Sequence, residues 1–193
     1  MQPVSTFVVV CSILAMHIPS PTESAEGATG KADQLFQFLE KLKENDALYT
    51  IKRTYKENLR HDTGTTIDCV KATKMDSNNT AAKLCTVVKS DGSTKQPFVA
   101  TYEKMGKDTI RGEPGSHTIN VQYVNENEKC FVVEMTDKTA SGSKACDLLS
   151  TDLQSTSSTC NQQLENLCGS GSRIISTPTG CNDVSDPKCT TPQ

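Results

Sequence analysis

Tyr49-Thr50-Ile51-Lys52-Arg53-Thr54-Tyr55 alternates between two sets of side chains. Tyr49, Ile51, Arg53 and Tyr55 share one side and Thr50, Lys52 and Thr54 the other, the period of two that an extended strand imposes. Upstream the period differs. Leu35, Phe36, Phe38, Leu39 and Leu42 recur at helical spacing, which predicts a short amphipathic helix over 32–44. Downstream of the strand at 47–56, further strand-like runs occur at 65–75, 82–89, 96–104, 107–112, 117–125, 130–136 and 144–151. Turn signals separate them: Asp91-Gly92, Gly106-Lys107, Pro114-Gly115, Asn125-Glu126-Asn127 and Ser141-Gly142. Eight consecutive strands with hairpin-length connections predict an antiparallel up-and-down barrel over 47–151, because closure leaves no unpaired edge.

Helical spacing returns after the strands. Ser157-Ser158 can cap a helix over 158–168 in which Cys160, Leu164, Leu167 and Cys168 share a face, with Gly169 at its end. The tail over 170–193 carries Pro178, Gly180 and Pro187 and needs Cys181 and Cys189 to hold it. The expected class is all-β with flanking helices, one barrel domain spanning 26–193.

The cysteines place the chain. Of nine, Cys11 lies in the apolar run 7–16, which has the length of a signal-peptide core and falls short of a membrane span. Small residues at Ser24-Ala25 fit cleavage there, so residues 1–25 are expected to be a signal peptide. Cys69, Cys85, Cys130, Cys146, Cys160, Cys168, Cys181 and Cys189 remain, an even set that reads as disulfides formed in an oxidising compartment. Asn78-Asn79-Thr80 is a glycosylation sequon that points the same way, with Asn78 as the acceptor. The protein is expected to be secreted.

Several function classes fall away. A net charge of −3 without a basic run gives no surface for nucleic acid, and no later segment is apolar enough for a membrane partner. Of the three histidines, His17 lies in the signal region, and His61 and His117 lie in loop or strand-edge settings. No Gly-x-Ser-x-Gly, His-Glu-x-x-His or phosphate-binding loop occurs, so no enzyme is expected. Without Cys-x-x-Cys spacing or clustered histidines, neither a metal nor a cofactor is expected.

The order of helix, eight strands, helix and anchored tail is the lipocalin plan, a barrel that holds one small ligand in its mouth. More narrowly, the chain resembles the salivary lipocalins of ticks, the histamine-binding-protein family. The resemblance rests on 33–39 followed by 49–55, on Asp68-Cys69-Val70, on Cys130-Phe131-Val132-Val133, and on Cys146-Asp147-Leu148-Leu149-Ser150-Thr151-Asp152 with Cys160. It implies a bridge from Cys69 to Cys181 or Cys189 and another from Cys130 to Cys160. Cys85, Cys146, Cys168 and the remaining tail cysteine would form two more, of undetermined pairing, since eight cysteines allow about 105 formal arrangements.

The resemblance also implies a ligand, histamine or another biogenic amine of host inflammation, sequestered to suppress host defence. Amine binders of the family carry Cys-Asp on the seventh strand and Glu-Leu-Trp or Glu-Leu-Tyr on the eighth. Here Phe131 stands in place of the first acid, Asp147 of the Glu, and Leu149 of the aromatic residue. If Asp147 faces inward, strand parity brings Ala145 and Leu149 with it; if Phe131 faces inward, Val133 and Met135 follow. On the first strand the match puts Tyr55 inward, with Tyr49, Ile51 and Arg53. Such a wall also suits leukotrienes or fatty acids, whose carboxylate Arg53 could hold. Three readings stay open: Arg53 paired with Asp147, Arg53 holding an anion, or Asp147 holding an amine. Phe98 and Tyr102 share a face and serve either packing or pocket. Two alternatives remain: an outer surface that blocks a host protein of the complement type, and a structural secreted protein with no ligand.

Overall fold

In a computed structural model, the described residues are 29–44, 46–55, 67–138, 144–154 and 158–190. The expected signal segment, His17, His61 and Ser157 lie outside them. In chain order the elements are α1 (Lys31–Lys41), β1 (Ala47–Arg53), β2 (Ile67–Ser77), β3 (Ala81–Ser90), β4 (Ser93–Thr94), β5 (Phe98–Lys104), β6 (Thr109–Glu113), β7 (His117–Asn125), β8 (Cys130–Met135), β9 (Cys146–Ser150), α2 (Ser158–Cys168), β10 (Arg173–Ile174) and α3 (Pro178–Cys181).

Eight of the strands close an antiparallel barrel in the order β1-β2-β3-β5-β6-β7-β8-β9, with β9 returning to β1. The two-residue strands β4 and β10 are additions: β4 folds back on the end of β3, and β10 pairs with the end of β1. β2 pairs with β1 only at Ala47–Tyr49, whereas β10 takes up Lys52 and Arg53. The tail therefore fills the gap where β1 and β2 diverge. Ser176 completes the join, its Oγ accepting from the Val70 amide at 2.8 Å.

One helix plugs the barrel. Ala32, Leu35, Phe36, Phe38 and Leu39 of α1 are buried against Leu48, Leu84, Ile119, Val121, Phe131 and Val133 from the strands. Phe38 meets Phe131 edge-on, with ring centroids 5.5 Å apart. The exposed edge of α1 is tied to strands and turns at the same barrel end. Its Ala32 amide donates to the Lys107 carbonyl, Lys74 donates to the Glu40 carbonyl, and Lys41 pairs with Glu126. Gly30 is required at this junction, since a Cβ there would lie 2.1 Å from the Lys107 carbonyl oxygen. The helix ends at Lys41 rather than at 44. Asp46 accepts from the Lys43 amide at 3.0 Å, and this local turn competes with helix and leads into β1.

α2 packs outside the barrel on β7, β8 and β9, burying Cys160, Leu164 and Cys168 with Ile51, Val132 and Leu148. Gly169, with φ of 90°, supplies the left-handed residue that ends it. Four disulfides join Cys69 to Cys181, Cys85 to Cys189, Cys130 to Cys160 and Cys146 to Cys168. Two rivet α2 to β8 and β9, and two strap the tail across the outer face of β2 and β3. Lys71 pairs with Asp186 and Lys89 with Asp183 beneath that strap.

The bridges close very different loops. Cys69 and Cys181 are 112 residues apart in sequence, Cys146 and Cys168 only 22. Replacing Cys69 and Cys181 with serine is expected to cost about 1.4 kcal/mol more than replacing Cys146 and Cys168, on loop-closure entropy alone. Urea unfolding of the two double variants checks this; equal or inverted losses would contradict it.

Candidate functional site: the barrel cavity

The plug and the outer helix leave the barrel interior a cavity of about 500 Å3. Leu35 and Leu39 of α1 form its floor, and Leu48, Ala72, Leu84, Ile110, Ile119, Phe131, Val133 and Leu149 its lower wall. At the end away from α1, the wall is made by Phe98, Glu113, Pro114, Gly115, His117 and Lys138. The rim is polar. His117 Nδ1 lies 2.5 Å from Asp137, and the Glu113 carboxylate accepts from the Ser116 hydroxyl and the Ser116 and Gly115 amides. Those three hydrogen bonds, the Ser116 hydroxyl foremost, hold the Glu113 carboxyl below its ordinary value.

All six residues singled out from sequence lie on this wall: Arg53, Tyr55, Tyr102, Phe131, Asp147 and Leu149. Their arrangement separates the three open readings. Arg53 and Asp147 are register partners across the β1–β9 seam, and Arg53 Nε stands 3.3 Å from Asp147 Oδ1. Arg53 has no accessible surface and Asp147 keeps 12% of its side chain accessible. The Tyr55 hydroxyl donates to Asp147 Oδ2 at 3.1 Å, and its ring carries the Arg53 guanidinium carbon 4.6 Å from its centroid. Burial pushes the Asp147 carboxyl up, against the downward pull of Arg53 and Tyr55.

The strand that carries this cluster is not regular. Thr50 pairs with Leu149 but Lys52 pairs with Leu148, so Ile51 is an extra residue on β1. A bulge of this kind shifts the side-chain parity of the residues beyond it. Leu48 and Thr50 face the cavity before it, Arg53 and Tyr55 after it. Tyr49 and Ile51, expected inward with Arg53, instead pack outside in the cluster under α2. A second bulge, between Val121 and Tyr123 on β7, turns Tyr123 outward in the same way. On β8 and β9 no shift occurs; Phe131, Val133 and Met135 face in with Asp147 and Leu149, while Cys146 and Leu148 face α2.

No family model and no curated protein sequence matches the chain. Solved structures do. A siderocalin, Ex-FABP, described as functioning through dual ligand specificities, superposes with a TM-score of 0.53 at 13% identity, over 77% of this chain and 97% of its own. Japanin from Rhipicephalus appendiculatus, bound to cholesterol, gives 0.52 at 12% identity, over 68% of this chain and 91% of its own. The cockroach allergen Per a 4 gives 0.50 at 13% identity, over 69% and 85%. The chain has the lipocalin fold.

Within this lipocalin barrel, several wall residues escape the strand pattern. Simple alternation puts Thr50 on the outer face, and the bulge brings it to the cavity. Gly112 is a glycine inside a strand, a signal of close approach. A Cβ there would stand 2.9 Å from Ile119 Cδ1 and 3.4 Å from the Tyr102 ring, so the bare backbone is what lets both side chains settle over it. Among the described residues, Glu128, Cys130 and Cys160 lie close enough together to ligate a metal, but both cysteines are committed to a disulfide.

Truncating one member of a buried ion pair strands the other charge. Arg53→Met and Asp147→Leu alone are each expected to lower stability by about 3–5 kcal/mol, and the double variant to recover most of that loss. Chemical denaturation of the cycle reads it directly. Single losses below about 1 kcal/mol would show that the pair contributes no more than a surface salt bridge.

Proposed function

We propose that this protein is a secreted lipocalin that takes a small amphipathic, largely apolar molecule into its barrel and sequesters it. The pairing of Arg53 with Asp147 carries the reading. An amine ligand would need Asp147 to exchange Arg53 for an ammonium group, and an anion would need Arg53 to leave Asp147. Both exchanges bring an uncompensated charge against a wall that, away from the polar rim, is largely apolar. Phe131 and Leu149, standing where amine binders carry an acid and an aromatic residue, favour the same conclusion.

Tick salivary origin and a host inflammatory mediator as cargo come from the family resemblance, and a lipid mediator fits this cavity better than histamine. Japanin's cholesterol is a molecule of comparable character. Export is supported by four disulfides, and no helix among the described residues is long and apolar enough to cross a membrane.

Calorimetric titration with histamine, serotonin, a leukotriene and cholesterol tests the reading. Heat with an apolar ligand and none with either amine is the expected result, and Ala100→Phe, which fills the cavity wall, is expected to abolish it. Tight histamine binding lost in Asp147→Asn would overturn it. Asn78 is exposed in the β2–β3 turn, on the barrel end opposite the mouth, so a glycan there would leave ligand access clear. Protein secreted from eukaryotic cells should lose mass on deglycosylation, and Asn78→Gln should remove that loss.

A further inference from the structure

The Tyr102 hydroxyl is a polar group of the cavity wall that stands apart from the Arg53–Asp147–Tyr55 cluster. Arg53, Asp147 and Tyr55 engage one another, yet the Tyr102 hydroxyl makes no hydrogen bond among the described residues. Tyr102 belongs to β5, opposite Gly112 of β6. Its ring rests against the Gly112 backbone, held in place because no Cβ intrudes there. The residue is half-buried although it sits inside the barrel; its remaining surface faces the cavity. Facing the cavity, the phenol is placed to hydrogen-bond an oxygen that enters it.

We infer that Tyr102 is the specificity-determining residue of the cavity and that its hydroxyl donates to an uncharged oxygen of the ligand, an ester, ketone or alcohol carried on an apolar body. This inference rests on the ligand-binding reading above and narrows it. Charge excludes the alternatives. A ligand carboxylate at Tyr102 would add a second negative charge near Asp147, whose own counter-charge, Arg53, is already engaged. A ligand ammonium would stand near Arg53 in a wall with no second acid: Glu113 lies at the rim and Phe131 occupies the other position. An uncharged oxygen meets neither cost and satisfies the phenol. Burial, with the Asp147 charge adding to it, pushes the Tyr102 phenol up to about 12, so it remains a donor throughout the physiological range.

The test is equilibrium dialysis of the full-length mature protein with radiolabelled methyl palmitate, palmitic acid and hexadecane, on the native sequence and on Tyr102→Phe. The phenylalanine keeps the ring against Gly112 and removes only the hydroxyl. Methyl palmitate is expected to bind at least tenfold more tightly than palmitic acid or hexadecane. Tyr102→Phe is expected to weaken the ester about tenfold while leaving hexadecane unchanged, the share of a single hydrogen bond. A merely structural role would weaken both ligands together. Unchanged ester affinity in Tyr102→Phe, or palmitic acid binding as tightly as its ester, would overturn the inference while leaving the lipid-binding reading intact. Binding of none of the three would overturn both.

Discussion

A buried ion pair between Arg53 and Asp147 fixes both the seam of this barrel and the character of its interior. The two residues face each other where the first and last strands meet, so the contact that closes the sheet also lies on the cavity wall. Removing two charges from water costs several kcal/mol per ion, and only a well-satisfied partner offsets it. Here each ion faces the other at 3.3 Å, the Tyr55 hydroxyl donates to Asp147, and the Tyr55 ring lies against the guanidinium. The consequence for function is direct. A cavity whose internal charges engage one another presents a nearly neutral wall to a ligand.

The backbone bulge at Ile51 makes that arrangement possible. In a regular strand, a cavity-facing Thr50 would send Lys52 inward and Arg53 outward. The extra residue reverses the parity, so Arg53 meets Asp147 while Ile51 joins Cys146, Leu148 and Leu164 outside. Packing is thereby divided. The plug of α1 and the outer clusters beneath α2 and the tail supply the close-packed contacts, and the disulfides rivet them. With the chain held from its closed end and its outside, the interior need not be filled with side chains.

Much of the fold was legible because its signals are local. Period-two runs, turn dipeptides and an even set of cysteines give strands, connections and stapling without knowledge of the partners. The illegible features depend on partners. Nothing in Thr50-Ile51-Lys52 marks a bulge: it contains neither Gly nor Pro, and all three residues sit comfortably in either register. β4 and β10 are two residues each, strands only because β3 and β1 accept them. The pairing of Cys85 with Cys189 and Cys146 with Cys168 depends on how the tail and α2 lie on the barrel, which spacing does not encode. In the site, strand parity on β8 and β9 put Phe131, Asp147 and Leu149 on one wall, but whether Asp147 would meet Arg53 was a question of register across the seam. Gly112 was visible as a residue and silent as a role, since only Tyr102 and Ile119 opposite it explain why it is bare.

The internal charges are expected to stay paired while a ligand is held. A crystal structure of the protein loaded with its tightest-binding ligand tests this most directly. The expected result is an intact Arg53–Asp147 pair, with an uncharged ligand oxygen within hydrogen-bonding distance of the Tyr102 hydroxyl. A ligand ammonium or carboxylate inserted between Arg53 and Asp147 would contradict it.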